Sequence, residues 1–178
     1  MATPKQVVLG VCGSIAAYKA GDIIRRLQDE HCQVKVVMTK EAERFITPLT
    51  LAALSGNDVY SDMFEGNTWR MAHIELAKSA DVFLIAPATA HVIGKMANGL
   101  ADDLLTTLAI TTKAPIFMAP AMNDEMFTNS LVQENCAKLK KHGVRFIEPV
   151  KGKLACGVTG VGHLADVDII VKAVIAAT

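Results

Sequence analysis

Apolar positions in this chain fall into short, nearly unbroken runs separated by stretches where they recur every three or four residues. The runs are Gln6 to Cys12 (QVVLGVC), Gln33 to Met38 (QVKVVM), Val82 to Ala86 (VFLIA), Pro115 to Ala119 (PIFMA) and Val144 to Ile147 (VRFI). A continuous apolar run of about four to eight residues fits a strand covered on both faces, as in a parallel sheet. Between the runs, the spacing predicts a helix from Ile15 to about Glu30, with Ile15, Ile23, Ile24 and Leu27 on one side. Further helices are predicted over Pro48–Ser55, with Gly56 as the stop, and over Asp102–Thr111, with Asp102 as the cap. Two more span Ser130–His142, ended by Gly143, and Asp166 to about Ala176. A short helical segment follows His73, and Val92, Ile93 and Met96 mark another after Thr89. Residues 57–70 have no period and read as a surface loop, and Val144–Ile147 reads as the last strand. Strands alternating with helices predict an α/β fold: an open parallel sheet with helices on both faces.

The chain is organised around Asp81–Leu105. Val82–Ala86 is the expected central strand, and Pro87, lacking an N–H, is expected to end its ladder. Ala88, Thr89 and Ala90 then form a tight turn into a helix. Open α/β sheets place ligands at such carboxyl-end turns, where free helix N–H groups favour an anion. Three other strands end in comparable chemistry. Gly13-Ser14 follows the first; the glycine permits close backbone approach, and the hydroxyl can cap a helix or hold a phosphate. Thr39 follows the second with the same two options. Asn123, in PAMNDEMF, can cap a helix or point a carboxamide at a polar substrate. The glycine pattern is not GxGxxG, which counts against a dinucleotide fingerprint. His73 has an imidazole suited to proton transfer near neutral pH. Lys151–Asp166 (KGKLACGVTGVGHLAD) has four glycines and is expected to be a loop or flap, with Cys156 a candidate reactive thiol. Cys12 and Cys32 lie in or beside strands and read as packing residues.

Composition narrows the class. The chain has 178 residues and reads as one domain; it is 51% hydrophobic and 5% aromatic. The apolar excess suggests surface hidden in subunit contacts. With 18 basic and 18 acidic residues and no run of like charge, nothing marks a nucleic-acid or membrane-surface partner. No apolar segment approaches membrane-spanning length, no secretory h-region is evident, and a cytoplasmic location is expected. The four cysteines form neither a CxxC nor a Cys/His cluster, which fits reduced thiols rather than disulfides or a metal site.

GSIAAYK, Thr39, His73, PATA, PAMNDEM and KLACGVTGVGH, in that order, make the sequence resemble the flavin-containing cysteine decarboxylase family across nearly its whole length. The resemblance implies a Rossmann-like (flavodoxin-like) domain over residues 1–178, with a glycine-rich flap at about 151–166. It implies FMN between subunits of a homo-oligomer, a trimer or a dodecamer. Gly13, Ser14, Ile15, Thr39, Thr89, Ala90, His91, Val92 and Ala121 would hold the flavin. His73, Cys156 and Asn123 would be catalytic, and Asn123, Met126, Lys153, Leu154 and Ala155 would handle substrate. His91 stands where the family often has Asn, and His163 where it often has Arg. The ACG segment favours the reductive branch, on a cysteine-bearing coenzyme A precursor. Relatives that oxidatively decarboxylate a peptide's C-terminal cysteine, flavin prenyltransferases and non-catalytic regulatory subunits are the alternatives. Larger family members carry a further cysteine-ligating domain.

Overall fold

Six parallel strands form the main sheet: β1 (Gln6–Val11), β2 (Gln33–Met38), β3 (Val59–Tyr60), β4 (Val82–Ala88), β5 (Ile116–Pro120) and β6 (Arg145–Phe146), in spatial order β3-β2-β1-β4-β5-β6. This computed structural model describes residues 4–63, 72–153, 157 and 159–177. The helices are α1 (Ala20–Asp29), α2 (Pro48–Ser55), α3 (Ala72–Ser79), α4 (Ala90–Ala97), α5 (Leu104–Thr111), α6 (Asp124–Thr128), α7 (Ser130–Lys141) and α8 (Val167–Ile175). This is the expected Rossmann-like architecture, with strand order 3-2-1-4-5-6.

The unbroken apolar runs exist because alternate side chains enter two different cores. Val7, Leu9, Val36 and Leu84 pack on one face with Ile23, Ile24 and Leu27 of α1 and Ile170 of α8. Val8, Phe83, Ile85 and Met118 pack on the other with Ile93 of α4, Leu104 and Leu108 of α5, and Leu139 of α7. A strand with both faces covered has no polar side to show.

The structure corrects the sequence reading at several points. The first helix is a 3-10 turn over Ile15–Lys19 followed by α1, a common tightening of a helix start. Pro87 does not end β4. It has no N–H, but its carbonyl accepts from Cys12 N at 3.3 Å, and Ala88 pairs with Pro120 after a register shift. Val59–Tyr60 adds a parallel edge strand inside the expected loop, too short to show a period. Asp103, not Asp102, caps α5, accepting from Thr106 N at 2.8 Å. The strand expected over Val144–Ile147 contracts to β6 and is not the last. An antiparallel hairpin of β7 (Val150–Lys153) and β8 (Thr159–His163) occupies much of the segment read as a structureless loop. Along β8 the buried positions are Gly160 and Gly162, so the inward face is lined by the absence of side chains, and hydropathy does not register it. Among the described residues no helix is long and apolar enough to cross a membrane.

Candidate functional site

From β1 the chain crosses to β2 on one side, and from β4 it crosses to β5 on the other. The two strands are adjacent, so their carboxyl ends form the topological switch point of the sheet. A crevice of about 370 Å³ opens there. A larger groove, about 860 Å³, runs between α1, α2 and the start of α8. Its lining is not drawn from strand ends, so the chemistry is assigned to the smaller crevice.

Gly13 and Ser14 form one wall of the crevice. A Cβ on Gly13 would collide with Glu41 Cβ and stand 3.0 Å from the Glu41 carbonyl carbon, so only glycine lets the loop after β2 come this close. That approach brings Thr39 and Glu41 into the lining. Ser14 Oγ accepts from Ala16 N and reaches Ala121 O, both at 3.3 Å, tying the start of the first helical turn to the end of β5. Thr39 Oγ1 accepts from Ala42 N at 3.3 Å, and Thr89 Oγ1 accepts from Val92 N at 3.4 Å. The cap reading is therefore correct for all three hydroxyls. Ser14 gives its one proton to Ala121 O and can meet a ligand only as an acceptor, whereas the Thr39 and Thr89 hydroxyls accept their cap bonds and can still donate to a ligand in the crevice.

Thr89, Ala90, His91 and Val92 bring the first turn of α4 to the opposite wall. The far end of α4 is anchored by Lys95, which lies 2.7 Å from Asp102 and 2.8 Å from Asp103. Burial alone would raise the Asp103 carboxyl. The Lys95 ammonium and the Thr106 donors outweigh it and hold the group below its ordinary value. Ala121, Met122 and Met126 complete the lining, and Met126 is half-exposed rather than core.

Asn123 sits between Met122 and Met126 and caps α6, its Oδ1 accepting from Glu125 N at 3.0 Å and Met126 N at 3.4 Å. His73 lies in the first turn of α3. It does not line the crevice, and its buried Nδ1 has no hydrogen-bond partner among the described residues. Ile15, just past Ser14, points outward and is 59% exposed. His163, the second departure from the family pattern, bonds its neighbour: Nδ1 stands 2.9 Å from Leu164 O. Leu154, Ala155, Cys156 and the Lys153 side chain lie outside the described residues. The crevice thus gathers eight of the nine expected flavin positions and Met126, but not His73, Ile15 or Asn123, the last lying beside the lining residue Met122. Glu41 and Met122 were missed, although Glu41 follows Thr39 by two residues and Met122 lies inside PAMN.

Cys12 is fully buried at the end of β1. Burial pushes its thiol from the ordinary 9.0 up to about 12, against a lowering hydrogen bond from the Thr89 backbone. The folded protein therefore keeps this proton through a range in which the unfolded chain has lost it. Stability from this group is intact below pH 9 and declines between pH 9 and 12 by up to about 1.4 kcal/mol per pH unit. Urea unfolding across that range is expected to show the decline, and Cys12→Ala to flatten it.

The chain matches the Flavoprotein family over residues 1–178. It is 47% identical over 163 residues to the coenzyme A biosynthesis bifunctional protein CoaBC of Vibrio vulnificus, covering 91% of this chain and 41% of that protein. The chain thus spans less than half the length of that relative. It is also 47% identical over 171 residues to a probable phosphopantothenoylcysteine decarboxylase of Streptococcus mutans, covering 94% of this chain and 96% of that one. Among solved structures, a mutant PPC decarboxylase complexed with pantothenoylaminoethenethiol superposes with a TM-score of 0.89 at 33% identity, covering 98% of each chain. With the switch-point crevice and a family match along its whole length, the chain belongs to the flavoprotein family.

Proposed function

We propose that this chain, as a single FMN-binding domain over residues 1–178, decarboxylates phosphopantothenoylcysteine to 4′-phosphopantetheine in coenzyme A biosynthesis. The observation that carries the reading is the crevice itself. Gly13, Ser14, Thr39 and Thr89 offer a glycine-framed, hydroxyl-lined hollow of the kind that holds a phosphorylated cofactor, and the Asn123 turn borders it. These groups fit FMN, with Ala90, His91, Val92 and Ala121 forming the rest of its bed. FMN supplies a reversible electron-pair store, drawing a pair from the substrate's thiol end so that CO2 can leave from the adjacent carbon, then returning it.

The protein's own groups do the remaining work. His73 takes a proton from the substrate at the first step. The cap bonds to Oδ1 hold the Asn123 carboxamide at the start of α6, where it binds the substrate carboxylate or amide. Met126 gives the crevice an apolar lip, and the glycine-rich segment, with Lys153, Leu154 and Ala155, covers the substrate and excludes water. Cys156 delivers the proton that completes the saturated product. His91, in the lining, replaces the amide common in the family with an imidazole.

Exposed Ile15, Tyr18, Phe45 and Leu49 follow directly on the crevice-forming segments, which supports a homo-oligomer, trimer or dodecamer, with FMN between subunits. The location is cytoplasmic. Purified FMN-loaded protein incubated with phosphopantothenoylcysteine is expected to release CO2 and form 4′-phosphopantetheine in equal amounts. A colourless protein would sink the proposal. So would an enethiol as sole product, the signature of the oxidative peptidyl-cysteine branch.

A further inference from the structure

The hairpin rests on the Asn123 turn through close backbone contact. Met122 N donates to Gly162 O at 3.0 Å. A Cβ on Gly162 would run into Met122 O and stand 3.2 Å from the Met122 carbonyl carbon. A Cβ on Gly160 would lie 2.6 Å from both Cβ and Cγ of Asp124. Both glycines are buried, whereas Thr159 and Val161 on the opposite face of β8 are exposed. Two successive inward positions of one strand are therefore vacant where the strand meets residues 122–124. Little apolar surface is hidden in this seat, so its hydrophobic contribution is small. Its consequence is positional: Met122 lines the crevice, and Asn123 and Asp124 begin α6.

We infer that Gly160 and Gly162 are positioning residues for substrate. By bearing no side chain they let β8 seat directly on the Met122–Asp124 backbone, and the seat fixes both the Met122 wall and the orientation of the Asn123 carboxamide. The hairpin and the Asn123 turn then act as one unit. The kinetic consequence rests on the decarboxylase reading; the seat itself does not.

The test uses the FMN-loaded protein with Gly160→Ala, alone and combined with Asp124→Gly or Asp124→Ala. Gly160→Ala is expected to raise KM for phosphopantothenoylcysteine about tenfold or more with little change in kcat, because a displacement of about 1 Å is enough to misplace a substrate contact. Trypsin is expected to cut after Lys151 and Lys153 faster by a similar factor. Flavin absorbance and melting temperature should stay close to wild type. Asp124→Gly removes the opposing Cβ and should restore both KM and protease resistance; Asp124→Ala keeps it and should not. The inference is overturned by wild-type KM and cleavage in Gly160→Ala, by equal rescue from the two Asp124 changes, or by a Gly160→Ala protein that loses its flavin and fold. If wild type releases no CO2, the decarboxylase reading fails, and the cleavage rates still decide the seat.

Discussion

His73→Asn is expected to give a folded, yellow protein that releases CO2 about 1,000-fold more slowly than wild type or worse, the scale of losing a general base. The expectation comes from an unusual feature of the resting structure. His73 has its Nδ1 buried without a partner among the described residues. A buried polar atom left unpaired costs about 1–3 kcal/mol, and native proteins keep few of them. One that persists in the first turn of a helix points to a group supplied from outside this chain's described residues. Asparagine approximates the shape and polarity of imidazole but cannot cycle a proton, so the variant separates packing from proton transfer. His73→Phe supplies the complementary measurement. Removing the unpaired nitrogen should leave the melting temperature unchanged or raised while activity is lost, since a site residue trades stability for function. Steady CO2 release by His73→Asn near the wild-type rate would remove the imidazole from the reaction.

Much of the architecture was legible because burial on two faces leaves a local signature. Val82 to Ala86 could be placed in the middle of the sheet since every residue of the run is apolar, and only a doubly covered strand tolerates that. Ser14, Thr39 and Thr89 were legible as ligand candidates because each directly follows such a run, and strand ends of a parallel sheet share one edge. The two readings coexist at Thr39 and Thr89, which cap turns and line the same crevice, while Ser14 lines it with its proton already given to Ala121 O. What escaped was non-local. Glu41 enters the lining because Gly13, far away in sequence, has no Cβ to keep it out. Gly160 and Gly162 looked like loop formers, since hydropathy records what a strand buries and these positions bury nothing of their own. Asp102 and Asp103 are equivalent in pattern. Only the fold shows Lys95 between them, with Asp103 turned to the α5 N–H groups and Asp102 left as its second counter-ion.

Cys156→Ser should divide the reaction in two. Release of CO2 needs a base, a held carboxylate and the flavin's capacity for one electron pair, none of which involves the thiol, so it should proceed. Completing the product needs a proton on carbon as the pair returns. A thiol is acidic enough to give that proton near neutrality, whereas a serine hydroxyl, far less acidic, cannot. Under anaerobic conditions the variant should therefore release about one CO2 per bound FMN and stop, with the substrate held as its unsaturated thiol. Mass spectrometry should find that species two hydrogens lighter than 4′-phosphopantetheine. Cys12 is the internal control: its thiol, pushed up to about 12 by complete burial, has no access to the crevice as an acid, and Cys12→Ser should leave the product saturated. Multiple turnovers to 4′-phosphopantetheine by Cys156→Ser would show that the proton comes from elsewhere. An alternative donor would then be His91, which lines the crevice wall, and the Cys156→Ser/His91→Asn protein would have to lose the turnover that the single variant kept.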